Sequence, residues 1–314
     1  MAYMNDAGAP TNSRLFPRSH VLAAFAAVYI VWGSTYLAIR YAVETIPPFF
    51  MVGSRFLVSG VVLYAWARAR GVPRPTRSQW RDAAIAGVLM LCCGNGAVSW
   101  AEQRVSSGLA ALLVAVVPLW MVLIDWLRPH GSRPKVIVLL GVIAGLVGLD
   151  VLVGPGVFSG TGAVDSIAAI VLVLASLAWA AGSISNRFGS RPESPAMSTG
   201  LQMIGGSIAL IIVGLFAGEG SALHVHNISM ASWIGWLYLV TFGSLVGFTA
   251  YVYLLQAVSP AKASTYAYVN PVVAVFLGWA IASEPVTRRT VLAAAIILGG
   301  VAMISLSQAR RSSR

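Results

Sequence analysis

Apolar residues in this chain come in blocks. Ten runs stand out, at about residues 19–39, 47–67, 80–98, 106–125, 135–153, 166–185, 197–217, 231–256, 262–281 and 290–308. Each is close to the roughly 20 residues that a helix needs to cross a bilayer. Backbone polar groups in hydrocarbon must be paired within the protein, so each run predicts a helix. The short alternating segments of a membrane β-barrel are absent. The expected fold class is an all-α polytopic membrane protein with ten transmembrane helices. The first run is too long for a signal peptide, and it continues into WGSTYLAIRY instead of a small-residue cleavage site. No stretch is left over for a soluble domain.

Composition agrees with this pattern. Of 314 residues, 58% are hydrophobic and 10% charged, against roughly 25% charged in soluble domains. The mean hydropathy is +0.79.

A net charge of +11 invites a nucleic-acid reading until the charges are placed. With a cytoplasmic N-terminus, the inner side receives Arg14, Arg18, Arg68, Arg70, Arg74, Arg77, Arg81, Arg128, Arg133, Lys135, Arg187, Arg191, Lys262, Arg310, Arg311 and Arg314. The outer side receives Arg40, Arg104, Arg288 and Arg289, and Arg55 falls within the second run. This asymmetry over short loops is a topology signal, with both termini inside. It is not the footprint of a nucleic-acid partner. The two arginines at 288 and 289 fit it least well.

The chain also repeats itself. VSSGLAALLVAVVP (105–118) returns as VSPAKASTYAYVNP (258–271), pairing Val105 with Val258, Ser106 with Ser259, Ala110 with Ala263, Val116 with Val269 and Pro118 with Pro271. VWGSTYLAIRY (31–41) aligns with LAWAAGSISNRF (177–188), pairing Trp32 with Trp179 and Arg40 with Arg187. Five runs followed by five place the second half upside down, so the expectation is two inverted-topology five-helix repeats around a central cavity. The predicted organisation is a cytoplasmic tail over 1–18, a first repeat over 19–153, a second over 166–308 and a cytoplasmic tail over 309–314.

Three stretches carry a family resemblance: VWGSTYLAIRYAVETIPPFFMVGSRF (31–56), AEQRVSSGLAALLVAVVPLW (101–120) and AYVNPVVAVFLGWAIASEPVT (267–287). Over about residues 20–308 the chain resembles EamA-type members of the drug/metabolite transporter superfamily, in the group of bacterial ten-helix exporters that includes an aromatic amino-acid exporter. The resemblance implies a multi-pass carrier of the bacterial inner membrane whose cavity is lined by spans 1, 3, 4, 6, 8 and 9. It implies a small-molecule substrate, a lipid bilayer environment and no cofactor, and a monomer is sufficient.

The residues themselves supply candidates. Trp32 and its repeat partner Trp179 lie deep in their runs, although tryptophan favours the membrane interface. Each either lines the pathway or packs. An indole offers a stacking face and one donor. Ser34, Thr35 and Tyr36 follow Trp32; the hydroxyls of Ser34 and Thr35 can be satisfied by their own helix. Asn95, in the third run, either bridges helices or touches ligand, since a buried amide needs partners. Tyr266 and Asn270 are four apart and share a helical face, whereas their repeat counterparts Leu113 and Val117 are expected to pack. The substrate-binding candidates are Trp32, Tyr36, Asn95, Trp179, Tyr266 and Asn270. Arg55 reads as a structural cation, a place the family pattern also gives it.

For gating, Trp100, Glu102 and Gln103 mark the outer end of the third span. Glu102 has three readings: a pair with Arg104, an outer gate, or a titrating group. No acid is placed convincingly at mid-membrane, which gives proton coupling no strong support. Pro118 and Pro271 each lack an N–H and bend or loosen their helices, and Gln256 is an inner-gate candidate.

No catalytic constellation is present: His20, His130, His224 and His226 fall at span ends or in loops. No metal site is expected, because two nearby histidines do not make one. The expected cargo is a neutral amphipathic metabolite, above all an amino acid with an aromatic or other large side chain. The alternatives are a multidrug or quaternary-amine exporter of the same fold and a channel.

Overall fold

The computed structural model describes residues 17–128, 134–154, 165–258 and 266–309. The predicted helices form, and local chemistry explains where several begin. Helix α1 is Arg18–Ala42, and α2 is Pro48–Ala69. Helix α2 starts on a proline, whose missing N–H costs nothing in the first turn. Helix α3, Arg77–Ala101, opens with a capping box in which Thr76 accepts from the Gln79 N–H and the Gln79 side chain accepts from the Thr76 N–H. Helix α4, Ser107–Leu127, is capped by Ser106 through the Leu109 N–H. Helix α5 is Val136–Val153. Asp165 caps α6, Ser166–Phe188, and Ser194 caps α7, Pro195–Phe216. Met230–Tyr238, Leu239–Val246 and Gly247–Ala257 run on as one helix, α8. Helices α9, Tyr266–Ala282, and α10, Arg288–Ala309, complete the set.

The count of ten crossings does not stand. Among the described residues seven helices are long and apolar enough to span a membrane: α1, α2, α3, α4, α6, α7 and α8. Among the described residues the apolar stretches on α5 and α9, Val136–Leu152 and Val269–Ala282, are shorter than those seven. Helix α10, which opens on Arg288 and Arg289, is not among the seven. An inverted pair of five-helix bundles needs ten crossings, so that arrangement is corrected with the count. What stands is an all-α polytopic membrane protein. Reading every apolar block as a crossing overlooked how much helix each block would deliver.

The helices pack through small residues, as bundles in lipid do. Helix α7 lies along α2 and also against α3. A methyl group added at Gly87 would collide with the carbonyl of Gln202, and one added at Gly206 would come within 2.7 Å of the Gly87 carbonyl. The α5–α10 pair closes similarly: a methyl group added at Gly141 would come within 2.7 Å of the Gly300 carbonyl. Arg289 donates to the Val151 carbonyl in the last turn of α5, a favourable place for a cation. That contact gives one of the two ill-fitting arginines a structural partner. Exposed side chains such as Leu22, Ile30, Val61, Leu146, Ile170 and Phe276 give the bundle an apolar exterior.

Three helices carry wider, π-helical turns: Val28–Trp32 in α1, Val88–Gly96 in α3 and Leu239–Val246 in α8. Such turns displace backbone carbonyls from regular pairing and are frequent at functional sites. Ser34 and Thr35 satisfy two of these carbonyls, donating to Val31 at 2.8 Å and Trp32 at 2.6 Å.

Candidate functional site

The π-helical turns meet at a cavity of about 120 Å³ in the middle of the bundle. Helices α1, α3, α4, α6, α8 and α9 line it, the six expected, and α2 adds Arg55. All six substrate-binding candidates lie on its wall: Trp32, Tyr36, Asn95, Trp179, Tyr266 and Asn270.

Aromatic rings set much of its shape. Trp32 makes ring contacts with Phe248, Tyr251 and Tyr266 at centroid separations of 5.2, 5.1 and 5.2 Å. Its indole N–H is not free: it donates to the Gly243 carbonyl at 3.1 Å, within the α8 π-helical turn. Trp32 therefore presents a face to the cavity and no donor. Gly94 leaves room for the Trp179 ring, which would lie 3.2 Å from an added methyl group.

The polar groups are few and distinct. Arg55 is 4% exposed and its Nη2 donates to Asn95 Oδ1 at 3.0 Å. The guanidinium also lies 4.4 Å from the Phe56 ring centroid, while its Nε has no hydrogen-bond partner. Asn95 thus reaches across to α2, as its helix-bridging reading required, and lines the cavity too. Asn270 is buried, and its Oδ1 has no partner. Pro271, next to it, lacks the N–H that would bond the Ala267 carbonyl, and Ala267 and Pro271 both face the cavity. One cation therefore stands among acceptors and aromatic faces. Arg55 is the only charged residue lining this cavity among the described residues.

The two prolines do not behave alike. Helix α4 breaks between Val114 and Val117, and buried Pro118 sits in the first turn after the break. Pro271 lies inside the unbroken α9. Leu113 is fully buried, and Val117 is buried and also reaches the cavity wall.

A second cavity, about 600 Å³, is bounded by Arg40, Glu44, Glu102, Gln103, Arg104 and Glu284 among others. Glu102 does not pair with Arg104, whose Nε is 3.7 Å from Asp165 and whose guanidinium lies 3.9 Å from the Trp100 ring centroid. Glu284, in the stretch between α9 and α10, accepts the Ser107 and Gly108 N–H groups at 2.9 and 3.1 Å and stands 3.4 Å from Arg40. Glu219 holds the start of α2 in the same way, through the Phe49 and Phe50 N–H groups at 3.1 and 2.9 Å. An acid placed just beyond an apolar run was the available signal for both. Gln256 lies on α8, with its side chain outside the described residues.

The signature of the EamA-like transporter family matches residues 18–154 and again residues 166–306. The chain belongs to this family. It is a small-molecule membrane transporter and not an enzyme. It is 38% identical over 292 residues to YedA, an uncharacterized inner membrane transporter of Escherichia coli K12, covering 92% of this chain and 91% of YedA. It is 23% identical to the uncharacterized transporter YvbV of Bacillus subtilis, covering 92% of each. A protein solved by crystallography superposes with a TM-score of 0.63 at 19% identity, over 92% of this chain and 98% of the other, which shows a shared fold.

Proposed function

We propose that this transporter is a carrier of the bacterial inner membrane that exports neutral amphipathic metabolites by alternating access, with amino acids bearing aromatic or other large side chains as its cargo. The observation that carries this reading is the pairing of a buried guanidinium with an unpartnered acceptor in one aromatic cavity. Arg55 suits a carboxylate, through its fork of donors. Asn270 Oδ1, with the carbonyl that Pro271 leaves free at Ala267, suits an ammonium group. Trp32, Tyr36, Trp179 and Tyr266 supply apolar faces for a side chain. On this reading Arg55 serves the cargo as well as the bundle.

The size of the cavity fits a carrier that must open. About 120 Å³ is somewhat less than the roughly 150 Å³ that holds a benzene molecule in an engineered cavity. A large amino acid enters only if the lining helices part. With the N-terminus inside, the ends of α1 and α3 that border the second cavity lie outside, and Glu102 and Gln103 are assigned to its gate. The membrane assignment draws on the resemblance to the E. coli protein, which is described as an inner membrane transporter.

A quaternary-amine cargo is the second reading, favoured by the ring of aromatic faces, which attract cations. Arg55 counts against it, because no acid on the cavity wall offsets that charge among the described residues. Competition decides between them. In proteoliposomes, uptake of labelled neutral amino acids should saturate and be inhibited by other zwitterions more than by tetraalkylammonium ions. Saturable uptake of the ammonium ions alone would favour the second reading.

A further inference from the structure

The second cavity holds a carboxylate without an obvious purpose. Glu102 is 3% exposed, and neither of its oxygens has a hydrogen-bond partner. Among the described residues no ion pair includes Glu102. An ionised carboxylate buried in that way is costly, and the usual relief is to bind a proton.

The charged and titratable groups around Glu102 are accounted for elsewhere. From α1 it faces Tyr36 and Arg40, and Arg40 is engaged with Glu284 at 3.4 Å. From α2 it faces Arg55, whose Nη2 is bonded to Asn95. Glu284, beyond α9, adds a like charge, and its two oxygens already accept the N–H groups that start α4. On its own segment Arg104 is drawn to Asp165 at the start of α6. Glu44 and Gln103 share the cavity.

We propose that Glu102 is a proton-binding site, which holds its proton on a buried carboxyl group and exchanges it with the adjoining cavity as the charge around Arg55 changes. The step is a simple one: the O–H bond of the carboxylic acid breaks, and the proton passes to water in the 600 Å³ cavity that Glu102 lines. Burial first, and then the negative charge of Glu284, push this carboxyl well above the usual carboxylate range, against the opposing pull of Arg40 and Arg55.

Arg55 connects the two cavities electrostatically. It lines the central one and supplies part of the positive field at Glu102. A carboxylate bound at Arg55 would cancel some of that field and strengthen the hold of Glu102 on its proton. By linkage, a protonated Glu102 would strengthen carboxylate binding equally. The site does not depend on the cargo's identity; its link to an amino-acid carboxylate rests on the function proposed above.

Infrared difference spectroscopy on the purified full chain tests the site directly. At neutral pH the wild type should show a carboxylic-acid C=O band that is lost in Glu102→Gln and kept in Glu284→Gln. The band should shift in heavy water and fade as pH rises. Glu102→Asp, which keeps an acid, should move the band without abolishing it, and it serves if the glutamine variant is not obtained. Identical wild-type and Glu102→Gln spectra at neutral pH would overturn the proposal, as would a band that persists at every pH. Phenylalanine then tests the link: binding should move the fading of the band to higher pH. Binding with an unmoved band would refute the link. If no neutral amino acid binds, it is the cargo assignment that fails, and the band still decides the proton site.

Discussion

Arg55 and Asn95 meet at 3.0 Å across the gap between α2 and α3, and both face the central cavity. The bond orients the guanidinium, so on the function proposed above Asn95 would act on the cargo partly through Arg55. Asn95→Ala should weaken binding of a zwitterionic amino acid by roughly 10-fold, the loss expected for one hydrogen bond to a charged group. Arg55→Lys keeps the charge without the planar fork and should weaken it comparably. Titration calorimetry on the purified variants gives both values. Unchanged affinity in both would place the carboxylate elsewhere.

Trp32 gives a test of the π-helical turns. Trp32→Phe keeps a ring beside Phe248, Tyr251 and Tyr266 but leaves the Gly243 carbonyl without its donor. The expected cost is about 1–3 kcal/mol, read as a lower unfolding temperature. Trp32→Ala also opens a cavity and should cost about 3–5 kcal/mol. Equal losses in the two variants would mean that the ring contacts contribute little.

The glycine contact between α3 and α7 is equally specific. Gly87→Ala places a methyl group against the Gln202 carbonyl, and both groups are held by backbone. The variant should lose more than ~1 kcal/mol of stability, seen as reduced yield and thermal midpoint. Gly299→Ala, also inside a helix, meets no neighbour within 4 Å and should lose less. The reverse order would contradict this packing.

Glu102 also predicts a pH dependence of stability. Its carboxyl binds protons more tightly in the folded chain than in the unfolded one. No penalty therefore exists below the unfolded value near 4.3, and the penalty grows as pH rises from there toward the folded value. Glu102→Gln removes it. The variant should melt on the order of a few degrees above wild type at pH 7 to 8, with little difference near pH 4. A gain that is largest in acid would carry the wrong sign.

The side chains that share the cavity wall were more legible in the sequence than the fold around them. Deep tryptophans, a tyrosine and an asparagine four residues apart, and an amide in an apolar run all stand out against hydrocarbon, and such groups turn inward. That is why Trp32, Tyr36, Asn95, Trp179, Tyr266 and Asn270 share one wall. The crossings were less legible, because hydropathy does not report where a helix starts and stops. Nor does periodicity separate a π-helical turn from an α-helical one, so the bond between Trp32 and Gly243 was hidden. Pro118 and Pro271 matched in sequence, yet one follows a break and the other sits in a continuous helix. Glu219 and Glu284 look like loop acids until the helix starts they hold are seen.

Counterflow in proteoliposomes tests the assignment of the central cavity most directly. Vesicles with wild-type protein and loaded with an unlabelled neutral amino acid such as phenylalanine should accumulate the labelled compound transiently and saturably. Asn270→Ala, inserted normally and with an unchanged thermal midpoint, should need roughly 10-fold more amino acid for half-maximal flux, the loss expected for one acceptor to an ammonium group. Absence of counterflow for every neutral amino acid, or a variant with normal half-saturation and lowered stability, would contradict the assignment.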